Sequence, residues 1–130
     1  MPADAATWLK FADDDLAAAR RLIGDLSLPP RLACFHAQQA AEKAVKAALA
    51  AAGTPFPRTH DLLALALLTS DRLRAELESV ELSLLDPWAV DARYPADIPD
   101  LGVSEANVVL DTAAHTLRAV RAVLTSIDPQ

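Results

Sequence analysis

The sequence predicts an all-α protein, an up-and-down bundle of about five helices. Hydrophobic residues make up 52% of the 130 residues but aromatic residues only 5%, and the excess is Ala and Leu, which are strong helix formers. The three glycines are too few for a protein built on tight hairpin turns. The nine prolines lie outside the periodic stretches, where helices begin and end. We therefore expect one helical domain over residues 1–130, with its core at about 7–127.

The first two helices are predicted from their caps and breakers. Helix one is expected over residues 7–23, with Thr7 as its N-cap and an apolar face toward the core. Helix two is expected to enter at the Pro29-Pro30 pair and to run to about Ala52, where Gly53 ends it. The predicted apolar face of helix one consists of Trp8, Phe11, Leu16, Ala19, Leu22 and Ile23.

Two shorter helices are predicted in the middle of the chain. Thr59 is expected to cap helix three, and Ser70 or Asp71 to cap helix four. Asp86-Pro87 ends helix four, because proline cannot continue the backbone hydrogen bonding. The amphipathic stripe of helix four consists of Leu73, Leu77, Val80 and Leu84, at spacings of four, three and four.

A Pro-rich, irregular stretch precedes the last helix. A loop as long as residues 88–102 is often functional in a small domain, and a plain connector is the alternative. Ser104 is expected to cap a final helix that runs to about Ile127. Its predicted buried side consists of Val108, Leu110, Ala114, Leu117, Val120, Val123 and Leu124.

Charge and cysteine content restrict the function. The formal net charge is −6, so nucleic-acid binding needs a local basic cluster or a basic groove shared between subunits. The single cysteine, Cys34, excludes an intramolecular disulfide and fits a reducing cytosol. A cytoplasmic protein is expected, because neither a signal peptide nor a membrane-spanning stretch is visible. No spacing typical of a metal site or a phosphate loop is present, so no metal or cofactor is expected.

The most informative stretch is Ala33–Ala47, within helix two. Its polar residues share one side of the helix, and small residues on the opposite side allow another helix to approach closely. The pattern has two interpretations: a ligand site, or buried polar groups at a helix–helix interface that satisfy one another. The polar residues are His36, Gln39, Lys43 and Lys46, and the small residues are Ala33, Ala37, Ala40, Ala44 and Ala48.

Three motifs follow one another along the chain: the helix Ala33–Ala47, the helix start Thr59-His60-Asp61-Leu62, and Arg93-Tyr94-Pro95. Together they resemble the HEPN family (higher eukaryotes and prokaryotes nucleotide-binding), and the resemblance covers about residues 8–124. It implies a helical bundle like that of nucleotidyltransferase substrate-binding subunits. It also implies a homodimer that acts beside a separate minimal nucleotidyltransferase.

The resemblance extends to catalysis only in part. Many HEPN proteins are metal-independent ribonucleases, with an arginine, four to six residues, then a polar residue and a histidine. Arg93 lies in the corresponding region, but the next histidine, His115, is 22 positions later. This departure favours a chain that does not catalyse RNA cleavage by itself.

Three hypotheses remain. The first is a HEPN protein of toxin–antitoxin type that binds a nucleotide or RNA and pairs with a minimal nucleotidyltransferase. The second is a metal-independent ribonuclease with a non-standard site, and the third is a structural substrate-binding subunit of a nucleotidyltransferase. The candidate ligand-binding residues are His36, Gln39, Lys43, Lys46, His60, Arg93 and Tyr94.

These residues have structural alternatives. Lys43, Lys46 and Arg93 would bind phosphate, and Gln38, Gln39 and Tyr94 would contact a base or ribose. The alternatives are a helix-cap role for His60, an aromatic plug for Tyr94 and an ion pair for Arg93.

Overall fold

In the computed structural model, residues 3–89 and 94–127 are described, with side chains to residue 125, and this part of the chain contains helices and no strands. The predicted all-α bundle of about five helices is confirmed. No helix within the described residues is both long and apolar enough to cross a membrane. The α-helices are α1 (Ala5–Ile23), α2 (Arg31–Ala51), α3 (Leu62–Ala66), α4 (Asp71–Leu77) and α5 (Val103–Ile127), and 3-10 helices cover Leu82–Trp88 and Pro95–Asp97.

The centre of the bundle is α2, which packs against α1, α5, α3 and the 3-10 helix Leu82–Trp88. Its small-residue side is buried, as predicted, and the absence of long side chains lets neighbouring helices lie close. Phe35 of α2 meets Trp88 edge to face, with ring centroids 5.6 Å apart, and holds the 3-10 helix against the bundle. The buried alanines are Ala33, Ala37, Ala40, Ala44 and Ala48.

The first two helices are antiparallel. Trp8, near the start of α1, lies beside Lys46, near the end of α2. Asp15, in the middle of α1, contacts His36, near the start of α2. This pairing brings polar side chains of α2 against α1 along its whole length.

Two helix starts differ from their predicted caps. Asp4, not Thr7, caps α1, and its carboxylate accepts a hydrogen bond from the backbone N–H of Thr7 at 2.8 Å. Asp61, not Thr59, caps α3 through the N–H of Ala64 at 3.1 Å. Threonine and aspartate can both cap a helix, but the carboxylate also interacts favourably with the positive end of the helix dipole.

The cap of α4 agrees with the prediction, whereas the start of α5 differs from it. Ser70 caps α4, as one of the two predicted alternatives. The last helix begins at Val103, one residue before its predicted cap Ser104. The carboxylate of Glu105 accepts from the N–H of Gly102 at 2.8 Å, which is the glutamate half of a capping box.

Several predicted core residues are not fully buried, and two of them are exposed. Phe11 of α1 and Val108 of α5 are about half exposed, because each lies at the edge of its apolar face. Leu84, predicted as the end of the α4 stripe, lies in the 3-10 helix beyond the end of α4 at Leu77 and is partly buried.

Candidate functional site

A buried carboxylate organises one end of the bundle. Glu42 of α2 is 2% exposed, and it accepts hydrogen bonds from the Nζ of Lys46 at 2.9 Å and the Nε2 of Gln38 at 3.3 Å. Both partners lie four residues away on α2, so helix geometry alone places them. The Nδ1 of His60 lies 3.0 Å from the same carboxylate. These contacts compensate the cost of removing an ionised carboxylate from water.

Two aromatic rings enclose the ammonium group of Lys46. Its Nζ lies 5.5 Å from the ring centroid of Trp8 and 5.9 Å from that of Phe56. The two rings meet edge to face, with centroids 6.2 Å apart and planes at 63°. A cation over an aromatic face is stabilised by the ring quadrupole, so Lys46 is held by both charge and ring contacts.

A cavity of about 930 Å³ opens beside this cluster. Gly53 follows α2 with a φ of 67°, a left-handed conformation that suits glycine, and turns the chain into the connector that forms one wall. The cavity brings three basic side chains and two aromatic rings together. Its lining residues are Ala3, Trp8, Lys46, Ala50, Gly53, Thr54, Pro55, Phe56, Arg58, Thr59 and His60.

A second polar cluster lies farther along the α1–α2 contact. The carboxylate of Asp15 bonds to the Nδ1 of His36 at 3.0 Å and to the Nζ of Lys43 at 2.5 Å. The same ammonium lies 6.0 Å from the ring centroid of Phe11. The polar groups of this cluster hydrogen-bond to one another across the α1–α2 interface. This is the second of the two interpretations of the polar pattern in α2.

The predicted polar side of α2 therefore divides between two carboxylates. His36 and Lys43 contact the carboxylate of Asp15, whereas Lys46 donates to that of Glu42. Gln39 extends the Glu42 cluster, because its Nε2 donates to the Oε1 of Gln38 at 2.8 Å. Among the described side chains, no buried nitrogen or oxygen lacks a hydrogen-bond partner.

The comparisons with known proteins agree with this architecture. The sequence profile of the HEPN domain family matches residues 5–126, nearly the whole chain. The chain belongs to the HEPN domain family. The crystal structure of an archaeal HEPN homologue is similar, with a TM-score of 0.68 and 25% sequence identity over 93% of this chain and 98% of that chain. The comparison with curated proteins gives no match.

Two further residues considered from the sequence, Tyr94 and His115, are not among the residues that line the cavity of this HEPN domain. Tyr94 is 73% exposed and is not among the lining residues. Arg93 lies outside the described residues. His115 lines a separate depression of about 240 Å³ with Glu81 and Asp111. The described residues contain no group of three His, Cys, Asp or Glu side chains that could hold a metal ion.

The sequence motifs indicate Lys46 and His60, but not four residues that surround them in the HEPN domain. Glu42 was detectable, because Gln38, Glu42 and Lys46 are spaced four apart and face one another on a helix. The other three come from segments distant in sequence, and no spacing rule connects them with α2. They are Trp8, Phe56 and Arg58.

Proposed function

We propose that this HEPN domain binds a nucleotide or RNA in the cavity beside Lys46, and that it acts in a toxin–antitoxin pair with a minimal nucleotidyltransferase. The observation that supports ligand binding is the combination of basic and aromatic side chains around one cavity. Membership in the HEPN family supports the toxin–antitoxin setting and the partner.

The chemistry of the lining suits a nucleoside phosphate. Arg58 is exposed and offers a guanidinium group whose planar donors match phosphate oxygens. The ring of Phe56 offers a stacking surface for a base. Lys46 and His60 also line the cavity, and both are held by the carboxylate of Glu42. A ligand with one flat ring and one anionic group would therefore use both kinds of side chain.

The test is thermal unfolding with nucleoside phosphates at millimolar concentration. Ligand that binds only the folded state raises the melting temperature by mass action. Arg58→Gln removes one charge-assisted contact, and we expect it to weaken binding by about 1–3 kcal/mol, or roughly 5–150-fold. The matched control is Arg72→Gln, because Arg72 is equally exposed but lies on α4, away from the cavity.

The outcomes separate the hypotheses. A response that Arg58→Gln lowers and Arg72→Gln preserves supports binding in the cavity. An identical response in both variants contradicts this location. If no nucleotide or RNA changes the melting temperature, ligand binding is contradicted. The third hypothesis, a structural substrate-binding subunit, then remains.

One observation favours the ribonuclease alternative. The imidazole of His36 is held at Nδ1 by Asp15 while its ring remains partly exposed, as a general base requires. A digest of RNA in the presence of a chelator tests this, with wild type compared with His36→Ala. We expect no cleavage by the isolated chain, because no histidine follows Arg93 at the family spacing. Cleavage that His36→Ala abolishes would establish the alternative.

A further inference from the structure

The charges around the cavity limit how much negative charge it can accept. Lys46 and Arg58 are its permanently basic lining residues. The buried carboxylate of Glu42 lies 2.9 Å from the Nζ of Lys46 and neutralises that charge. His60 is held by the same carboxylate. Among the described side chains, Arg58 has no carboxylate in salt-bridge contact, so its guanidinium is the main positive charge of the cavity, which suits one phosphate group better than a chain of phosphates.

The aromatic rings limit the number of bases. Trp8 and Phe56 meet at 63°, so they cannot sandwich one flat base between parallel faces. The ammonium of Lys46 lies over both rings. The two rings therefore do not form a succession of parallel stacking surfaces. Proteins that bind single strands offer several stacking surfaces in succession, together with a basic groove.

The dimensions fit one nucleotide. A volume of about 930 Å³ is within the range of pockets that enclose a small ligand. Phe56 and Arg58 both line this cavity, so a single ligand can contact a ring and a guanidinium.

We propose that the cavity selects a nucleotide with a single phosphate over a nucleoside triphosphate or an RNA strand. The inference rests on the proposed function and narrows its ligand. Glu42 determines the selectivity without touching the ligand, because its buried charge cancels that of Lys46. The net charge of −6 adds to the discrimination against a polyanion.

The experiment compares adenosine, AMP, metal-free ATP and an oligoadenylate by calorimetric titration at two salt concentrations. We expect AMP to bind about tenfold more tightly than ATP or the oligonucleotide, and adenosine to bind more weakly than AMP. Tighter binding of ATP or of the oligonucleotide overturns the inference but leaves the proposed function intact. Absence of binding by all four contradicts the proposed function itself.

A charge variant tests the role of Glu42. Glu42→Gln keeps the side-chain shape and removes the negative charge, so we expect ATP to gain about tenfold more affinity than AMP and the preference to disappear. The control is Glu78→Gln, an exposed glutamate at the end of α4, which should preserve the preference. An unchanged preference in folded Glu42→Gln contradicts this role. If that variant does not fold, the wild-type comparison of AMP with ATP still decides the ligand class.

Discussion

At the scale of single residues, the carboxylate of Glu42 explains why the end of α2 is polar and yet buried. Its partners Gln38, Lys46 and His60 supply hydrogen bonds on different sides. Removal of one partner would leave part of an ionised group unpaired, which costs several kcal/mol in a protein interior. The same cluster that stabilises the α2 end therefore fixes two of the groups that line the cavity.

Cys34 provides a prediction at this scale. The thiol is fully buried on α2, and burial raises its pKa from the ordinary 9.0 to about 11. Because the thiolate is the reactive form, we expect alkylation by iodoacetamide at pH 8 to be roughly two orders of magnitude slower than that of glutathione. The measurement is the labelling rate by mass spectrometry in native buffer and in urea, where the rate should rise to that of a free thiol.

The raised pKa of Cys34 also determines the direction in which the free energy of unfolding changes with pH. Above about pH 9 the unfolded chain loses the thiol proton while the folded chain keeps it, so the free energy of unfolding falls as pH approaches 11. Cys34→Ala should show a smaller fall than wild type over this interval. Labelling of native protein as fast as that of glutathione would contradict the buried, protonated thiol.

Only part of the candidate site was predictable from the sequence, because only some of its residues lie in local motifs. Lys46 and His60 lie in local motifs, so the sequence identifies them. Trp8 and Phe56 reach the same ammonium from helix α1 and from the α2–α3 connector, and only the packing of these segments reveals it. His36 and Lys43, predicted together with Lys46, instead contact Asp15 of α1, because a helix side about 80° wide faces more than one neighbour.

At the scale of elements, the helices were predictable because their signals are local. The end of α2 at Gly53 follows from the left-handed turn that glycine adopts there. The start of α1 was displaced because Asp4 and Thr7 are both competent caps, and the sequence does not say which backbone N–H is left without a partner. The short 3-10 helix Leu82–Trp88 was not predictable, because its sequence has no distinct periodicity. The packing of Trp88 against Phe35 depends on the tertiary structure.

At the scale of the whole molecule, one hydrophobic cluster joins the long helices, α3, α4 and the 3-10 helix Leu82–Trp88. Aromatic side chains contribute little to it, and alanine contributes much, so the core depends on close helix approach rather than on large side chains. Some large apolar side chains remain on the surface. The most exposed on α3 and just after it are Leu63, Leu67 and Leu68.

The last prediction is that the protein is a homodimer. The exposed leucines on α3 and just after it mark a surface that association can bury, and the aromatic-poor core gains from an additional apolar contact. Light scattering should therefore give twice the chain mass of 13.8 kDa. Leu67→Glu tests α3 as the contact surface, and Leu26→Glu is its control, because Leu26 is 85% exposed in the α1–α2 turn. A monomer mass that does not change with protein concentration would refute the dimer, whereas a dimer that survives Leu67→Glu would place the contact on another face.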